Sequence, residues 1–235
     1  MTATETDGAQ RFLDQFADKD AIARYAEGPP RFLPGFDAMH RMTGVLLDEV
    51  VPAGAHLLVL GAGGGLEIDA LARSHPGWRF TGIDPARPML DLAEAALAPF
   101  KDRIDLIEGL IDDAPAGPFD GATCLLALHF LDRAERVRTL RAIRARLCPG
   151  APFVAVHSSF SQDADARDRW LDRYAAFAIA SGADAEQVGQ ARSAVAANLS
   201  LFTPAEDEAM IREAGFAEVE PFFAAFTWHG WIAHV

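Results

Sequence analysis

The residues whose types and spacing could do chemistry gather around one stretch. Leu57-Leu58-Val59-Leu60 runs into Gly61-Ala62-Gly63-Gly64-Gly65, and an acid, Asp84, stands nineteen residues beyond the last of these glycines. An apolar run of branched residues reads as a buried strand, and the glycines after it make a tight turn where the backbone can approach a ligand closely. An acid at the end of the following strand can accept hydrogen bonds from hydroxyl groups. Together they describe a nucleotide-like ligand seated above a sheet. Two histidines, His129 and His157, close later strand-like runs. As an imidazole, either one could serve as a general base or orient an acceptor, and each has an equally simple reading in packing or in a loop hydrogen bond.

The elements that must position these groups follow from periodicity. From Glu67 to Ser74 the pattern is helical, with Ile68, Leu71 and Ala72 on the buried face. Strands are expected at Arg79 to Asp84, Ile104 to Glu108, Phe119 to Leu128 and Pro152 to His157, with helices at Pro88 to Ala98 and Arg133 to Leu147 between them. Such alternation argues for a parallel sheet covered on both sides. Upstream, helices are expected over Arg11 to Tyr25 and from about Phe36 to Val50, where Met39 and Met42 are core filler or adaptable ligand contacts. After Ser161 the alternation stops, and Asp163 to Ser181 and Asp184 to Leu199 read as two helices of an insert. Thr203-Pro204-Ala205-Glu206 starts a helix with a threonine cap, ending at Gly215. Ala217 to Ala225 and Phe226 to Val235 are then two strands with no helix between them, hence antiparallel. The expected fold is α/β, a Rossmann-like, doubly wound seven-stranded sheet, mostly parallel with an antiparallel last strand. Its parts are an N-terminal helical lid (1–50), a cofactor-binding core (51–160), the insert as lid or dimer contact (161–202), and a closing helix with its strand pair (203–235).

Composition sets outer bounds. With 235 residues, half of them hydrophobic, the chain can build one sizeable core. A formal charge of -13 disfavours nucleic acid, whose non-specific affinity is built on lysine and arginine. The polar, acidic start has no secretory pattern, and the longest apolar run, Thr123 to Leu131, is too short to span a membrane. The only two cysteines, Cys124 and Cys148, fit a reduced cytoplasmic protein, and no metal site is expected.

Several segments in order, Val59-Leu60-Gly61-Ala62-Gly63-Gly64-Gly65, Gly82-Ile83-Asp84-Pro85, Leu106-Ile107-Glu108-Gly109, Phe119-Asp120-Gly121, Leu126-Ala127-Leu128-His129-Phe130-Leu131 and Leu147-Cys148-Pro149-Gly150, resemble the class I S-adenosylmethionine-dependent methyltransferases. The resemblance implies S-adenosyl-L-methionine as cofactor. Gly61, Ala62, Gly63 and Gly65 would meet its amino acid part, Asp84 and Pro85 its ribose, and Met89 its adenine. Leu110 and Ile111 would supply apolar walls, Asp112 or Asp113 would approach the adenine amino group, and Leu126 would join the set after strand four. Two positions depart from the family pattern. Val59 stands where an acid usually precedes the first glycine, and Leu110 where an aspartate is common, so a contact could shift to Glu67 or Asp112. The alternatives are an NAD(P)-dependent oxidoreductase, whose G-x-G-x-x-G would need a glycine at Leu66, and a non-catalytic cofactor-binding module.

Within the family the layout is similar to the carboxy-S-adenosylmethionine-dependent transferases of the tRNA wobble uridine. That subgroup's carboxylate-binding arginine and tyrosine align with Met210 and Phe36. Ordinary S-adenosylmethionine and a small-molecule acceptor are therefore expected, with tRNA modification as the alternative and a homodimer left open. Trp170, Tyr174 and Phe177, with Phe32, Phe36 and Phe202, form an aromatic set that either covers a substrate or packs as core or dimer contact.

Overall fold

Seven strands form one sheet in the order β3-β2-β1-β4-β5-β7-β6 in the computed structural model, which describes residues 27–235. The helix expected over Arg11 to Tyr25 lies outside the described residues. Strands β1 (His56–Leu60), β2 (Arg79–Asp84), β3 (Ile104–Glu108), β4 (Gly121–Leu125) and β5 (Pro152–Ser158) pair in parallel, so all five C-terminal ends share one edge. β7 (Trp228–His234) runs antiparallel between β5 and β6 (Ala217–Ala225), as two strands joined through Phe226 and Thr227 must. The helices are α1 (Gly28–Phe32), α2 (Phe36–Asp48), α3 (Leu66–Ser74), α4 (Arg87–Ala96), α5 (Arg133–Arg144), α6 (Ala164–Ala180), α7 (Ala185–Asn198) and α8 (Pro204–Glu213).

Both faces of the sheet are covered, and β5 is buried at every position. On one face Met39, Leu47, Ile68, Leu71, Leu90 and Trp78 form a core, so Met39 is core filler, with Met42 packed beside it. On the other, Leu140, Ile143, Phe153, Met210, Ile211 and Trp231 pack together. The Thr203 cap is present, its hydroxyl accepting from the Glu206 amide while the Glu206 carboxylate accepts from the Thr203 amide.

Three boundaries differ from expectation. β4 is shorter than Phe119 to Leu128, because Leu126 takes φ of 62° and turns the chain out of the sheet, and Phe119 joins only through an isolated bridge to Leu147. α5 stops at Arg144, ahead of that bridge. α4 yields at Leu97 to a 3-10 turn over Ala98–Arg103.

A buried polar cluster joins α5, α8, β5 and the end of the insert. Arg136, 1% exposed, donates through Nη1 to Asp207 and through Nη2 to the Ser200 carbonyl at 2.7 Å, and its guanidinium lies 4.7 Å from the Phe202 ring centroid. His157 Nε2 stands 3.1 Å from Asp207 Oδ1. Burial works against ionisation of Asp207, and His157 and Arg136 beside it outweigh that, holding its carboxyl below the ordinary carboxylate range. Removing one partner of a buried pair leaves an uncompensated charge. Asp207→Asn should therefore cost about 3–5 kcal/mol, lowering the melting temperature by on the order of 10 °C. The double variant Arg136→Met with Asp207→Leu should recover most of that loss in the same thermal melt.

Candidate functional site

The site is built at the C-terminal edge of the parallel strands, around the carboxylate of Asp84. This side chain, buried at the end of β2, accepts from the Gly63 amide through Oδ2 and from the Ala86 amide through Oδ1, each at 2.9 Å. It therefore both caps the turn after β2 and ties down the glycine loop after β1. Two of a carboxylate's roughly four lone-pair sites are used, leaving two for a pair of vicinal hydroxyls. Burial raises its pKa and the two amides oppose that.

The loop is held equally tightly from its own side. The Gly61 and Ala62 amides both donate to the Ile83 carbonyl, at 2.8 and 3.0 Å. Three successive amides are thus engaged within the protein, so the loop gives a ligand close approach rather than a row of free donors. A pyrophosphate cradle needs those donors, and the amino acid end of a cationic cofactor does not. At Gly61, with φ of 79°, a Cβ would collide with that of Ala127. Gly65, with φ of 83°, caps α3, and a Cβ there would press on Leu97 and on the Ala93 backbone.

Above the loop lies a cavity of about 290 Å³. Gly61, Ala62, Gly63, Asp84, Pro85, Met89, Leu110, Ile111 and Leu126 all line it. Gly65 does not, since it serves as the cap of α3. Asp112 is also outside the lining set, its carboxylate turned to Arg138 Nη1 at 2.8 Å, and Asp113 accepts from the Leu110 amide at 2.8 Å, holding the loop after β3. Leu126 keeps its left-handed backbone because its amide continues the ladder to the Val156 carbonyl at 2.6 Å. Such a conformation costs a branched residue on the order of 1 kcal/mol and clusters at ligand sites.

His129 and His157 are not among the lining residues. His129 accepts from the Ser158 amide at 3.2 Å through Nδ1 and is held well below the ordinary imidazole pKa by burial, while His157 belongs to the Asp207 cluster. The aromatic stripe of α6 divides as well. Tyr174 packs on Phe32 with ring centroids 5.4 Å apart, Phe177 meets Phe226 at 6.0 Å, and Trp170 carries the Arg173 guanidinium. None of the three lines the cavity. With the bond from Trp228 Nε1 to the Phe32 carbonyl at 3.1 Å, Tyr174 secures the segment that does, bearing Pro29, Phe36 and His40.

The sequence reading missed His40, although its place one helical turn after Phe36 puts both on one face. Its ring meets Phe36 edge-on at 4.5 Å, and burial depresses its pKa to about 4, with Asp37 opposing, so it is a neutral imidazole at the cavity wall. Glu67, in the first turn of α3, which the sequence already offers as a neighbour to take over a contact, is the second titratable group at the cavity. It is 6% exposed and lines the cavity, and its Oε1 has no hydrogen-bond partner among the described residues. Burial pushes its pKa up to about 8, the Thr123 hydroxyl opposing. A folded pKa above the unfolded value of about 4.5 gives stability that is complete below that value and lost as pH rises through about 8. Between about pH 6 and about pH 9 the wild-type melting temperature should fall relative to that of Glu67→Gln, which stays neutral throughout. Parallel curves would show that Glu67 is already ionised.

A protein-family model described as a methyltransferase domain matches residues 58–153. The carboxy-S-adenosyl-L-methionine synthase of Aeromonas hydrophila is 24% identical over 227 residues, 95% of this chain and 91% of that protein. Its counterpart from Chromohalobacter salexigens is 27% identical over 221 residues, 92% of this chain and 82% of that protein. Among solved structures, PigF with SAH matches with a TM-score of 0.66 at 19% identity, over 95% of this chain and 62% of that one. The chain thus spans most of the synthases' length and less than two thirds of PigF, with which it shares a fold. The two lone-pair sites of Asp84 and the Glu67 oxygen left without partners among the described residues, with the close approach at Gly61, suit S-adenosylmethionine. Residues 58–153 match a methyltransferase domain, and the chain resembles the class I S-adenosylmethionine-dependent methyltransferases, with a layout similar to the carboxy-S-adenosylmethionine subgroup.

Proposed function

We propose that this protein transfers the methyl group of S-adenosylmethionine to a small-molecule acceptor held against the wall formed by Pro29, Phe36 and His40. The observation that carries this reading is the closure of the cavity by that segment, which gives the site one apolar wall that the cofactor-binding loops do not supply. The bound sulfonium supplies an electrophilic methyl group. What the chain contributes is position and dryness, the main demands of an in-line displacement. Asp84 and the glycine loop fix the cofactor's place, Met89 and Ile111 wall its apolar part, and Phe36 covers the crevice from α2. His40, kept neutral by burial, can accept a hydrogen bond from a hydroxyl or amine acceptor and so orient it. The chain's formal charge of -13 gives a polyanionic acceptor such as tRNA little to hold it.

Incubation with methyl-labelled S-adenosylmethionine and either small-molecule extracts or bulk tRNA separates the two acceptor classes. Label in the small-molecule fraction is expected, and label in tRNA alone would sink the proposal. Once an acceptor is in hand, His40→Ala should lower kcat/KM by roughly tenfold or more, the worth of an orienting hydrogen bond. His157→Asn, outside the cavity, should change the melting temperature more than kcat/KM.

A further inference from the structure

The position that carries an acid in most members of this family is closed here. Val59 sits on β1 with no exposed surface, packed in the core beneath the glycine loop. One turn into α3, on the other side of the same loop, Glu67 lines the cavity, and its enclosed Oε1 has no hydrogen-bond partner among the described residues. An unsatisfied buried polar atom costs free energy unless something arrives to bond it. The Gly61, Ala62 and Gly63 amides are bonded within the protein, so they do not set a row of positive donors against an incoming cation. We propose that Glu67 is a charge-responsive cofactor ligand, holding a proton when the site is empty and releasing it to form an ion pair with the positive end of S-adenosylmethionine. The inference rests on the cofactor assignment made above and adds a residue and a proton to it.

The step balances simply. The Glu67 carboxylic acid loses one proton to solvent, its carboxylate then faces either the ammonium or the sulfonium of the incoming molecule, and no other bond changes. An acid whose pKa is raised by burial is the group most easily brought back down by a neighbouring cation. The other titratable and charged groups around it are engaged or held in one form by burial. His40 on α2 is neutral above about pH 4, and the Cys124 thiol on β4 is pushed further up by burial and by Glu67 itself. Asp69, on the same helix, is bonded to Arg73, and Glu135 and Arg138 of α5 are paired with each other at the far rim. Asp84 on β2 is fixed by two amides.

Two ligands tell the two cationic centres apart, because S-adenosylhomocysteine keeps the ammonium and lacks the sulfonium. Titration calorimetry in two buffers of different ionisation enthalpy counts the protons released. Wild-type protein should release close to one proton per S-adenosylmethionine near pH 7, and the count should fall as pH rises through about 8, where Glu67 is increasingly ionised before binding. Release on binding both ligands assigns the ion pair to the ammonium, and release with S-adenosylmethionine alone assigns it to the sulfonium. Either result supports the proposal. Glu67→Gln should abolish the release and weaken S-adenosylmethionine binding by roughly tenfold or more. Tight binding with no Glu67-dependent proton release overturns the proposal and leaves the cofactor assignment standing. A wild-type protein that fails to bind S-adenosylmethionine overturns both. The wild-type proton count against pH needs no variant and decides the matter even if Glu67→Gln is unstable.

Discussion

The carboxylate of Asp84 is the tie on which the site depends. By accepting the Gly63 amide with one oxygen and the Ala86 amide with the other, it fixes the loop after β1 relative to the turn after β2. The crevice between those two loops is where a parallel α/β sheet receives its ligand. The Ile83 carbonyl completes the clamp by taking the Gly61 and Ala62 amides. The floor of the cavity is consequently held before anything binds, with the Asp84 carboxylate beside the loop and the Gly61, Ala62 and Gly63 amides already engaged. Such a floor favours a cationic head over a pyrophosphate, and a glycine loop viewed only as a string of glycines does not carry that distinction.

Much of this was legible in the sequence, for identifiable reasons. β1, β2, β3 and β5 are continuous apolar or alternating runs bounded by glycine, proline or acid, so their limits fall where the chemistry changes. β4 was overextended because Leu126, Ala127 and Leu128 continue its apolar run, and nothing in a leucine's identity announces a left-handed backbone. The ladder bond to Val156 that imposes it is a long-range constraint. Gly65 was assigned to the ligand because it belongs to the glycine run, whereas its left-handed φ is used to enter α3. Asp112 and Asp113 are adjacent acids at the right edge of the sheet, and only the position of Arg138 decides that the first turns outward.

The two histidines illustrate a different limit. Both lie near the edge of the sheet where the site is, His129 in the turn after β4 and His157 one residue before the end of β5, yet a side chain there can face either layer, and along a strand a one-residue change of phase moves it across. His157 faces the layer of α8, where Asp207 and Arg136 already form a buried pair. Its polarity is spent there on joining the closing helix to β5 and, through Arg136 and the Ser200 carbonyl, on anchoring the end of the insert. The insert in turn secures α1 through Tyr174 and Phe32, so the polar cluster acts on the cavity at a distance, by holding the wall that carries Phe36 and His40.

The charge pattern of the cavity also bears on which form of the cofactor it suits. Its lining includes Glu67, Asp84 and Glu135, and the cation among its lining residues, Arg138, is bonded to both Glu135 and Asp112. At the position where the resembled subgroup carries its carboxylate-binding arginine, Met210 is fully buried among Leu140, Ile211 and Phe216. Phe36, in place of that subgroup's tyrosine, offers no hydroxyl. A cofactor bearing an additional carboxylate would thus enter a site with three acids and, among the described residues lining it, no uncommitted cation, where each like-charge encounter in a low-dielectric crevice is unfavourable. The unmodified sulfonium, with its net positive charge, meets the opposite condition. The departures at Met210 and Phe36 and the acid at Glu67 therefore act in one direction, toward S-adenosylmethionine itself.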